Sequence, residues 1–413
     1  MSHSSQQLIV IGGGAAGFFC AVNAARMHPG LKVVLLEKTS KLLSKVRISG
    51  GGRCNVTHHL FDTVEFAKRY PRGHNFVKKT FHQFSSAECI DWFAERGVRL
   101  KAEADGRMFP VTDSSETVIE CLLREAGRYG VDIRMNAEVK TLQKTGDGFV
   151  LTLAGGQELR APFVCVAAGG YPKAPMFDWL RALGHTVADP TPSLFTFNLP
   201  KHPITALMGV AVERARVKIE GSKLQEEGPV LITHWGLSGP AVLRLSAWGA
   251  RELAAGGYSF KAHVHWVPGQ TEADLKATIA DARKTHPQKK LENHNLGQLP
   301  ARLWNFLLRQ SGISEEQRFA DLPAKAENAL VRALTDTVFH VEGKTTFKEE
   351  FVTAGGIQLS EVDPNTMMSR KVPGLYFAGE VLDVDGITGG FNFQHAWTSG
   401  WIAAGLKGSG TPA

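Results

Sequence analysis

The first forty residues alternate between apolar runs and turns of small residues. Residues 8–11 are a continuous aliphatic run, 12–14 are glycines, 15–27 are small and apolar, and 31–37 form a second aliphatic run. Strands that read as unbroken aliphatic runs and alternate with helices are typical of a parallel sheet covered on both faces. The pattern therefore predicts strand, turn, helix and strand, the opening of a doubly wound α/β fold.

The same patterns predict elements along the rest of the chain. A long glycine- and arginine-rich loop is expected after Lys38, and proline-rich residues 190–203 indicate an exit into a second domain of α+β character. Near Thr353 the glycine-rich turns return. Helices are predicted at 85–96, 115–129, 271–284, 299–311 and 394–406, and strands at 131–136, 149–153, 163–168, 210–220, 258–267 and 375–378.

Length and composition limit the class of protein. A chain of 413 residues exceeds the roughly 250–300 at which one core stops growing, so two domains are expected. The five cysteines form no C-x-x-C pair and no zinc spacing with histidine, which predicts no metal site and a cytoplasmic location. Glycines interrupt the apolar stretch at 8–25 and no Lys or Arg precedes it, so neither a signal peptide nor a membrane span is predicted.

The net charge of +7 suits anionic ligands such as diphosphates and leaves nucleic acid open as a partner. Part of the excess comes from a local group of basic residues that we interpret as a solvated face. Its members are Arg283, Lys284, Lys289 and Lys290.

A G-x-G-x-x-G motif lies between the first predicted strand and helix. Its glycines permit the tight turn, the approach of a diphosphate and close helix packing, and the helix start offers amide donors. Glu37 follows the last glycine by twenty positions, at the end of the second strand, where it would accept hydrogen bonds from ribose hydroxyls and repel a 2′-phosphate. The expected ligand is FAD or NAD, and the alternative is a glycine-rich turn beside a surface glutamate. The contact residues are predicted to be Gly12, Gly14, Ala15, Ala16, Gly17, Glu37 and Lys38.

Residues 44–57 favour FAD over NAD, because a dehydrogenase would continue into further strand–helix units here. Three consecutive glycines let the main chain lie flat against a planar ring. The flanking arginines are assigned to the flavin phosphates, with a substrate carboxylate as the alternative. Cys54 lacks a nearby second cysteine for disulfide chemistry, so a redox-active thiol is not favoured. The predicted contacts are Arg47, Gly50, Gly51, Gly52, Arg53, Cys54 and Asn55.

The carboxyl-terminal part supplies the other half of the predicted site. Residues 374–380 form a short strand that ends in a glycine and an acid suited to a ribityl chain, and free amides at the start of the last helix suit the pyrimidine edge of a flavin. Small residues at 396, 400 and 404 give this helix a face that can approach the sheet closely. The predicted contacts are Ala168, Gly169, Gly379, Glu380, Gly389, Gly390, Phe391 and Asn392.

Several of these motifs together resemble the HI0933/YhiN family of bacterial flavoproteins, also described as BaiN-like NAD(P)/FAD-dependent oxidoreductases. The resemblance spans essentially the whole chain and rests on GGGAAG, SGGGRCNVT, DGRMFP, THWGLSGPAVLRLS, TAGG and GLYFAGEVLDVDGITGGFNFQHAW. It implies a discontinuous Rossmann-like FAD/NAD(P)-binding doubly wound domain at 1–192 and 347–413, with an inserted α+β domain at 193–346 that packs over the flavin. Two departures are His58, where the family usually has asparagine, and His395, where an aromatic residue is common.

These inferences predict an FAD-dependent oxidoreductase that transfers hydride between flavin N5 and a small organic substrate, with NADH or NADPH as a transient reductant. An FAD-dependent oxidase of a small amine or alcohol is the first alternative. His234, with Ser238 nearby, is the candidate proton donor or acceptor, and its alternative role is to hold a turn by hydrogen bonds. An RNA-modifying protein and a flavin carrier without turnover are further alternatives, although neither stable nucleic acid nor membrane binding is expected.

Overall fold

The structure, a computed structural model, describes residues 6–345 and 352–408. Its strands are β1 Gln7–Ile11, β2 Lys32–Leu36, β3 Thr57–His58, β4 Leu100–Ala102, β5 Arg107–Pro110, β6 Asp132–Arg134, β7 Val139–Thr145, β8 Gly148–Leu153, β9 Glu158–Ala161, β10 Phe163–Val166, β11 Val187–Ser193, β12 Thr196–Asn198, β13 Ala211–Ile219, β14 Gln225–Ile232, β15 Gly236–Ser238, β16 Ser259–His265, β17 Thr337–Glu342, β18 Lys344–Thr345, β19 Val352–Ile357 and β20 Leu375–Phe377. Its α-helices are α1 Ala15–Met27, α2 Ser44–Gly52, α3 Thr63–Ala67, α4 His74–Thr80, α5 Ser86–Ala94, α6 Glu116–Arg128, α7 Asp178–Arg181, α8 Pro240–Trp248, α9 Ala250–Ala255, α10 Glu272–Thr285, α11 Ala301–Gln310, α12 Ala324–Thr335 and α13 Phe391–Ala404.

The described residues divide into two compact units. Unit 1 contains residues 6–193 and 352–408, and unit 2 contains 194–345. Unit 1 is built on a parallel sheet, and unit 2 combines an antiparallel sheet with helices. The predicted fold class, an α/β Rossmann-like domain that is discontinuous and carries an inserted α+β domain, is confirmed.

The parallel sheet of unit 1 has the strand order β20-β10-β1-β2-β6. All four neighbouring pairs are parallel. The chain moves outward from β1 through β2 to β6 and then returns to the other side of β1 with β10 and β20. This is the doubly wound order, in which ligands bind at the carboxyl ends of the strands where the winding reverses. The reversal lies between β1 and β10.

Helix α13 covers this reversal by packing against α1. A Cβ on Gly400 would lie only 2.6 Å from the carbonyl oxygen of Ala16, so the absent side chain allows the two helices to touch. The sequence predicts that the small-residue face of the last helix approaches the sheet. In the structure, the neighbour of Gly400 on this face is helix α1. The helix also begins at Phe391, three residues before the predicted start at Gln394.

Unit 2 has a seven-stranded sheet in the order β17-β16-β13-β14-β15-β12-β18. Its neighbouring strands pair antiparallel, and β13 shows the alternation of buried and exposed residues expected of a sheet with one solvated face. Trp266 and Trp304 lie in the apolar core between this sheet and its helices. Trp304 is therefore a core residue.

The segment after Lys38 differs from its predicted form as a loop. Residues 44–48 are helical, because Leu43 and Val46 are buried and the backbone amide of Leu43 donates to Gly13 O at 2.9 Å. Only the end of the segment is the expected glycine turn. In the described part of the chain, no helix combines the length and the apolar character needed to span a membrane.

Candidate functional site

The glycine turn, residues 12–17, joins β1 to α1 at the point where the winding of the sheet reverses. Gly12 has a φ of +116°, and a Cβ there would lie 2.3 Å from the carbonyl oxygen of Ala167, the residue after β10. A Cβ on Gly17 would lie 1.9 Å from the carbonyl oxygen of Gly12. Gly14 differs, because no atom lies within 4 Å of the position of its Cβ. Two glycines therefore close the turn onto the sheet, and one faces open space.

The start of α1 presents unused donors beside that open space. Gly14 caps the helix without a side-chain hydrogen bond, and the first turn contains no acidic residue. The amides of Ala15, Ala16 and Gly17 have no acceptor among the described residues. Free amides and the positive end of the helix dipole form a site that favours an anion. This arrangement suits a diphosphate group.

Glu37 lies immediately after β2 and already accepts three hydrogen bonds. Its Oε2 accepts from Gly13 N at 2.9 Å, and its Oε1 accepts from the amide and hydroxyl of Thr39 at 2.8 and 2.9 Å. A carboxylate offers about four acceptor positions, so bonds to both ribose hydroxyls require the exposed Thr39 hydroxyl to turn away. Lys38 is exposed.

The glycines at 50–52 all have φ between +59° and +85°, a left-handed backbone that side chains disfavour. A Cβ on Gly50 would meet the Phe109 ring at 2.7 Å, whereas Gly51 and Gly52 border open space. The predicted flat segment is therefore a left-handed turn. A planar group has room beside two of its residues, Gly51 and Gly52.

The two arginines that flank this turn are paired with carboxylates of unit 1. Arg47 contacts Glu116. Arg53 lies 2.6 Å from Glu103 and stacks on the Phe109 ring at 3.9 Å. Neither guanidinium therefore carries an uncompensated positive charge for the flavin phosphates.

Cys54 and Asn55 are buried behind the turn. Burial raises the pKa of the Cys54 thiol to about 12, so the thiol is a poor nucleophile at neutral pH. The Asn55 amide, oriented so that both of its hydrogen bonds form, accepts from Gly390 N at 2.9 Å and donates to Thr57 O at 3.0 Å. Asn55 thus joins the turn to the start of α13 rather than presenting its side chain to a ligand.

The start of α13 has the arrangement seen at α1. Gly390 caps the helix without a side-chain bond to its first turn, and the amides of Phe391, Asn392 and Phe393 have no acceptor in the described ranges. Asn392 exchanges two hydrogen bonds with Gly386, at 2.8 and 2.9 Å, which hold the preceding loop. His58 Nδ1 donates a hydrogen bond to Gly389 O, at 2.9 Å. The predicted residues Gly389, Gly390, Phe391 and Asn392 therefore form one ordered helix start.

Glu380 follows β20 and lies among polar groups of unit 1. Its Oε2 is 2.6 Å from Lys45 Nζ, and its Oε1 accepts from Thr353 N at 2.8 Å. Ala168 and Gly169 follow β10, and Gly169 borders open space. The sequence did not identify Lys45 or Thr353 as partners of Glu380. They lie 335 and 27 positions from it along the chain, and no motif links residues at those separations.

A buried ion pair lies behind the carboxyl-terminal loop. Asp385 is fully buried, contacts the Arg72 guanidinium through both carboxylate oxygens, and accepts from Ser193 Oγ at 2.8 Å. Burial raises the pKa of Asp385, although Arg72 and Ser193 oppose that shift. Ser193 ends β11, which pairs with β19, so this ion pair fixes the end of a strand that leaves unit 1. No sequence motif indicated it.

His234 lies in unit 2, in the turn between β14 and β15. It is exposed and its ring centroid is 4.7 Å from that of Trp235, which is 46% exposed. Thr233 bonds within this turn, because its Oγ1 accepts from the amides of Trp235 and Gly236, each at 3.2 Å. Ser238 is buried and accepts from Thr196 Oγ1 at 3.2 Å. Among the described residues, the His234 imidazole has no hydrogen-bond partner.

Unit 1 fits the groups of FAD on three observations. Two helix starts offer unused amides, and Gly14, Gly51, Gly52 and Gly169 border open space that a Cβ would fill. A buried ring nitrogen of His395 has no partner among the described residues. Donors for a diphosphate, an acid at the end of β2 and room beside a glycine backbone are what an adenine dinucleotide requires.

Comparisons with known proteins identify the family of the chain. A family model described as the HI0933-like protein Rossmann domain matches residues 6–406. The chain is 31% identical over 406 residues to the 3-dehydro-bile acid delta(4,6)-reductase of Clostridium scindens, with 95% of this chain and 97% of that protein covered. It is 32% identical over 412 residues to the ribosomal RNA dihydrouridine synthase of Escherichia coli, with 96% of each covered.

Among solved structures, the 3-ketosteroid-delta4-(5alpha)-dehydrogenase of Rhodococcus jostii is similar in fold. The match has a TM-score of 0.51 at 14% identity and covers 98% of each chain. At this identity the likeness shows the fold alone.

Proposed function

This chain belongs to the HI0933-like family and is an FAD-dependent oxidoreductase, and from that premise we propose that it reduces a carbon–carbon double bond conjugated to a carbonyl group. The names of two relatives support this reaction class. A delta(4,6)-reductase acting on a 3-dehydro acid and a synthase of dihydrouridine both add two hydrogens across such a bond. In the proposed reaction of this chain, hydride would go to the carbon β to the carbonyl group and a proton to the α-carbon.

The observation that carries the cofactor part of the proposal is the start of α1 at the reversal of the sheet. The amides of Ala15, Ala16 and Gly17 would bind the diphosphate, Glu37 would bind the adenosine ribose, and the α13 start would face the pyrimidine edge of the flavin. FAD supplies a two-electron carrier from which hydride is transferred. NADH or NADPH is proposed as the donor that reloads it.

The residues of this chain would orient the cofactor and stabilise charge. Amides at the start of α13 would stabilise negative charge at the pyrimidine edge of a reduced flavin, because they and the helix dipole are already oriented in the protein. The left-handed turn at 50–52 leaves room beside the ring. Arg53 pairs with Glu103 and donates to Gly50 O at 3.3 Å, so it would help to hold this turn in place.

His234 is the proposed proton donor to the α-carbon. Its imidazole is exposed and free of hydrogen bonds to described residues, and a histidine can donate a proton near neutral pH. The substitution His234→Gln should lower the rate of substrate reduction by about 10²-fold or more, while flavin reduction by the nicotinamide keeps its wild-type rate. An equal loss in both half-reactions would contradict this role.

The experiment for the whole proposal begins with the visible spectrum of the purified protein. The flavin is then titrated anaerobically with NADH and NADPH, and the reduced protein is mixed with a conjugated steroid ketone or with uridine-containing RNA. Reoxidation of the flavin by either compound, with product carrying two added hydrogens, supports the proposal. Failure to bind FAD would refute it, and reoxidation only by oxygen with peroxide release would favour the oxidase alternative.

RNA is the second candidate substrate, favoured by basic side chains of unit 2. Lys284 and Lys289 are exposed and have no carboxylate partner in the described part of the chain, whereas Arg283 and Lys290 pair with Glu327 and Glu316. A phosphate backbone would attract the unpaired amines. Retention on RNA that weakens steeply with added salt would support this candidate, and retention that is independent of salt would refute it.

A further inference from the structure

His395 lies in the buried part of α13 with one ring nitrogen unused. The residue is 2% exposed, and its Nε2 lies 3.3 Å from the carbonyl oxygen of Gly379. Its Nδ1 is buried and has no hydrogen-bond partner among the described residues. Buried polar atoms are nearly always bonded, so an unbonded one is free to bond to water or to a ligand from outside the chain.

The contact with Gly379 fixes which kind of partner is missing. A carbonyl oxygen can only accept, so Nε2 carries the hydrogen and Nδ1 of the neutral ring is an acceptor. The ring stays neutral because burial lowers the pKa of His395 to about 4, against the opposing effects of the Gly379 carbonyl and Glu380. An acceptor cannot bond to a phosphate oxygen or a carboxylate. The partner must therefore supply an O–H or N–H group.

The surroundings of His395 select among the donors of FAD. A Cβ on Gly379 would lie 2.8 Å from the Cβ of Ala16, so Gly379 touches the first turn of α1, where the diphosphate is proposed to bind. Gly379 N donates to Ser399 Oγ at 2.8 Å, one turn after His395 on α13. His395 thus lies between the diphosphate end of the site and the helix start assigned to the flavin ring. The ribityl chain connects those two parts of FAD, and its donors are hydroxyl groups.

We propose that Nδ1 of His395 accepts a hydrogen bond from a ribityl hydroxyl of bound FAD, which makes this residue a cofactor-binding residue. The inference rests on the proposed cofactor site. Phenylalanine at this position could fill a similar volume but could not accept the bond.

The test measures the dissociation constants of FAD and of its 2′-, 3′- and 4′-deoxyribityl analogues by flavin fluorescence. Wild-type protein should bind one of the three analogues about three- to tenfold more weakly than FAD, the ratio expected for one lost hydrogen bond. His395→Phe should weaken FAD by a similar factor and should no longer distinguish that analogue from FAD. His395→Asn, which keeps an acceptor near the Nδ1 position, should restore most of the difference.

His185→Asn is the matched control, because His185 is also a buried histidine of unit 1 with an unpartnered Nδ1, and its Nε2 is bonded to Ser369. It should leave both FAD affinity and the analogue preference unchanged. Equal binding of FAD and all three analogues by wild-type protein would overturn the inference without any variant. Loss of discrimination in the control would overturn it as well, whereas absence of FAD binding by wild-type protein would refute the proposed function itself.

Discussion

Alanine at each of the three glycines of the G-x-G-x-x-G motif, Gly12, Gly14 and Gly17, should separate folding from cofactor binding. Gly14 has φ −93° and ψ −170°, which any residue adopts, and its Cβ position is free of neighbours within 4 Å. Gly14→Ala should therefore leave the free energy of unfolding of the apo protein within about 1 kcal/mol of wild type. The added methyl group occupies the space through which the diphosphate approaches, so FAD binding should weaken about tenfold or more, or at least 1.4 kcal/mol.

The other two glycines should show the opposite result. At Gly12, overpacking against the carbonyl oxygen of Ala167 costs about 1–3 kcal/mol, and a side chain at the positive φ costs about 1–2 kcal/mol more. Gly12→Ala should therefore destabilise unit 1 by about 2–5 kcal/mol. At Gly17, the helical preference of alanine returns up to about 1 kcal/mol of a similar overpacking cost. Gly17→Ala should therefore cost up to about 3 kcal/mol.

Urea denaturation of the apo proteins measures the change in the free energy of unfolding, and fluorescence titration with FAD measures the change in cofactor affinity. Gly127→Ala is the control, because Gly127 lies in α6 with open space around its Cβ position and should affect neither quantity adversely. The reasoning would be refuted by a Gly14→Ala protein that folds normally and binds FAD with wild-type affinity. A Gly12→Ala protein as stable as wild type would refute the packing argument.

Three further results are expected. Asp385→Ala should lower the free energy of unfolding by about 3–5 kcal/mol in urea denaturation, because Arg72 would remain buried without its partner. As a control, Glu65→Ala removes one member of an exposed ion pair and should lower the free energy of unfolding by less than about 1 kcal/mol. Glu37→Gln should weaken FAD binding in the same titration while apo stability changes little, and unchanged affinity would exclude a ribose contact. Despite partial burial, hydrogen bonds to its two carboxylate partners raise the pKa of His263. The stabilisation of unit 2 by His263 should therefore be complete below about pH 6.5 and should be lost as the pH rises through the raised pKa. The loss of unfolding free energy caused by His263→Asn should accordingly be larger at pH 6 than at pH 8.5.

The sequence predicted those parts of the site that depend on local order. Helix α1 begins and ends at the predicted residues 15 and 27, because an aliphatic strand, three glycines and a run of small residues permit few other conformations. The position of Glu37 at the end of β2 follows from the same local spacing. The parallel sheet also follows from its continuous aliphatic strands, since such strands must be buried on both faces.

Tertiary structure alone decided which polar groups are already paired and which are left for a ligand. Arg53 appeared available for phosphate until the fold placed Glu103 beside it, and Asn55 bonds to Gly390, a residue that the sequence places at the other end of the chain. The unused Nδ1 of His395 is defined in the same way, by what the neighbouring helices do not offer. Apolar periodicity records burial along one element, whereas hydrogen-bond pairing depends on atoms brought together from distant segments, and a single sequence does not encode those distances locally.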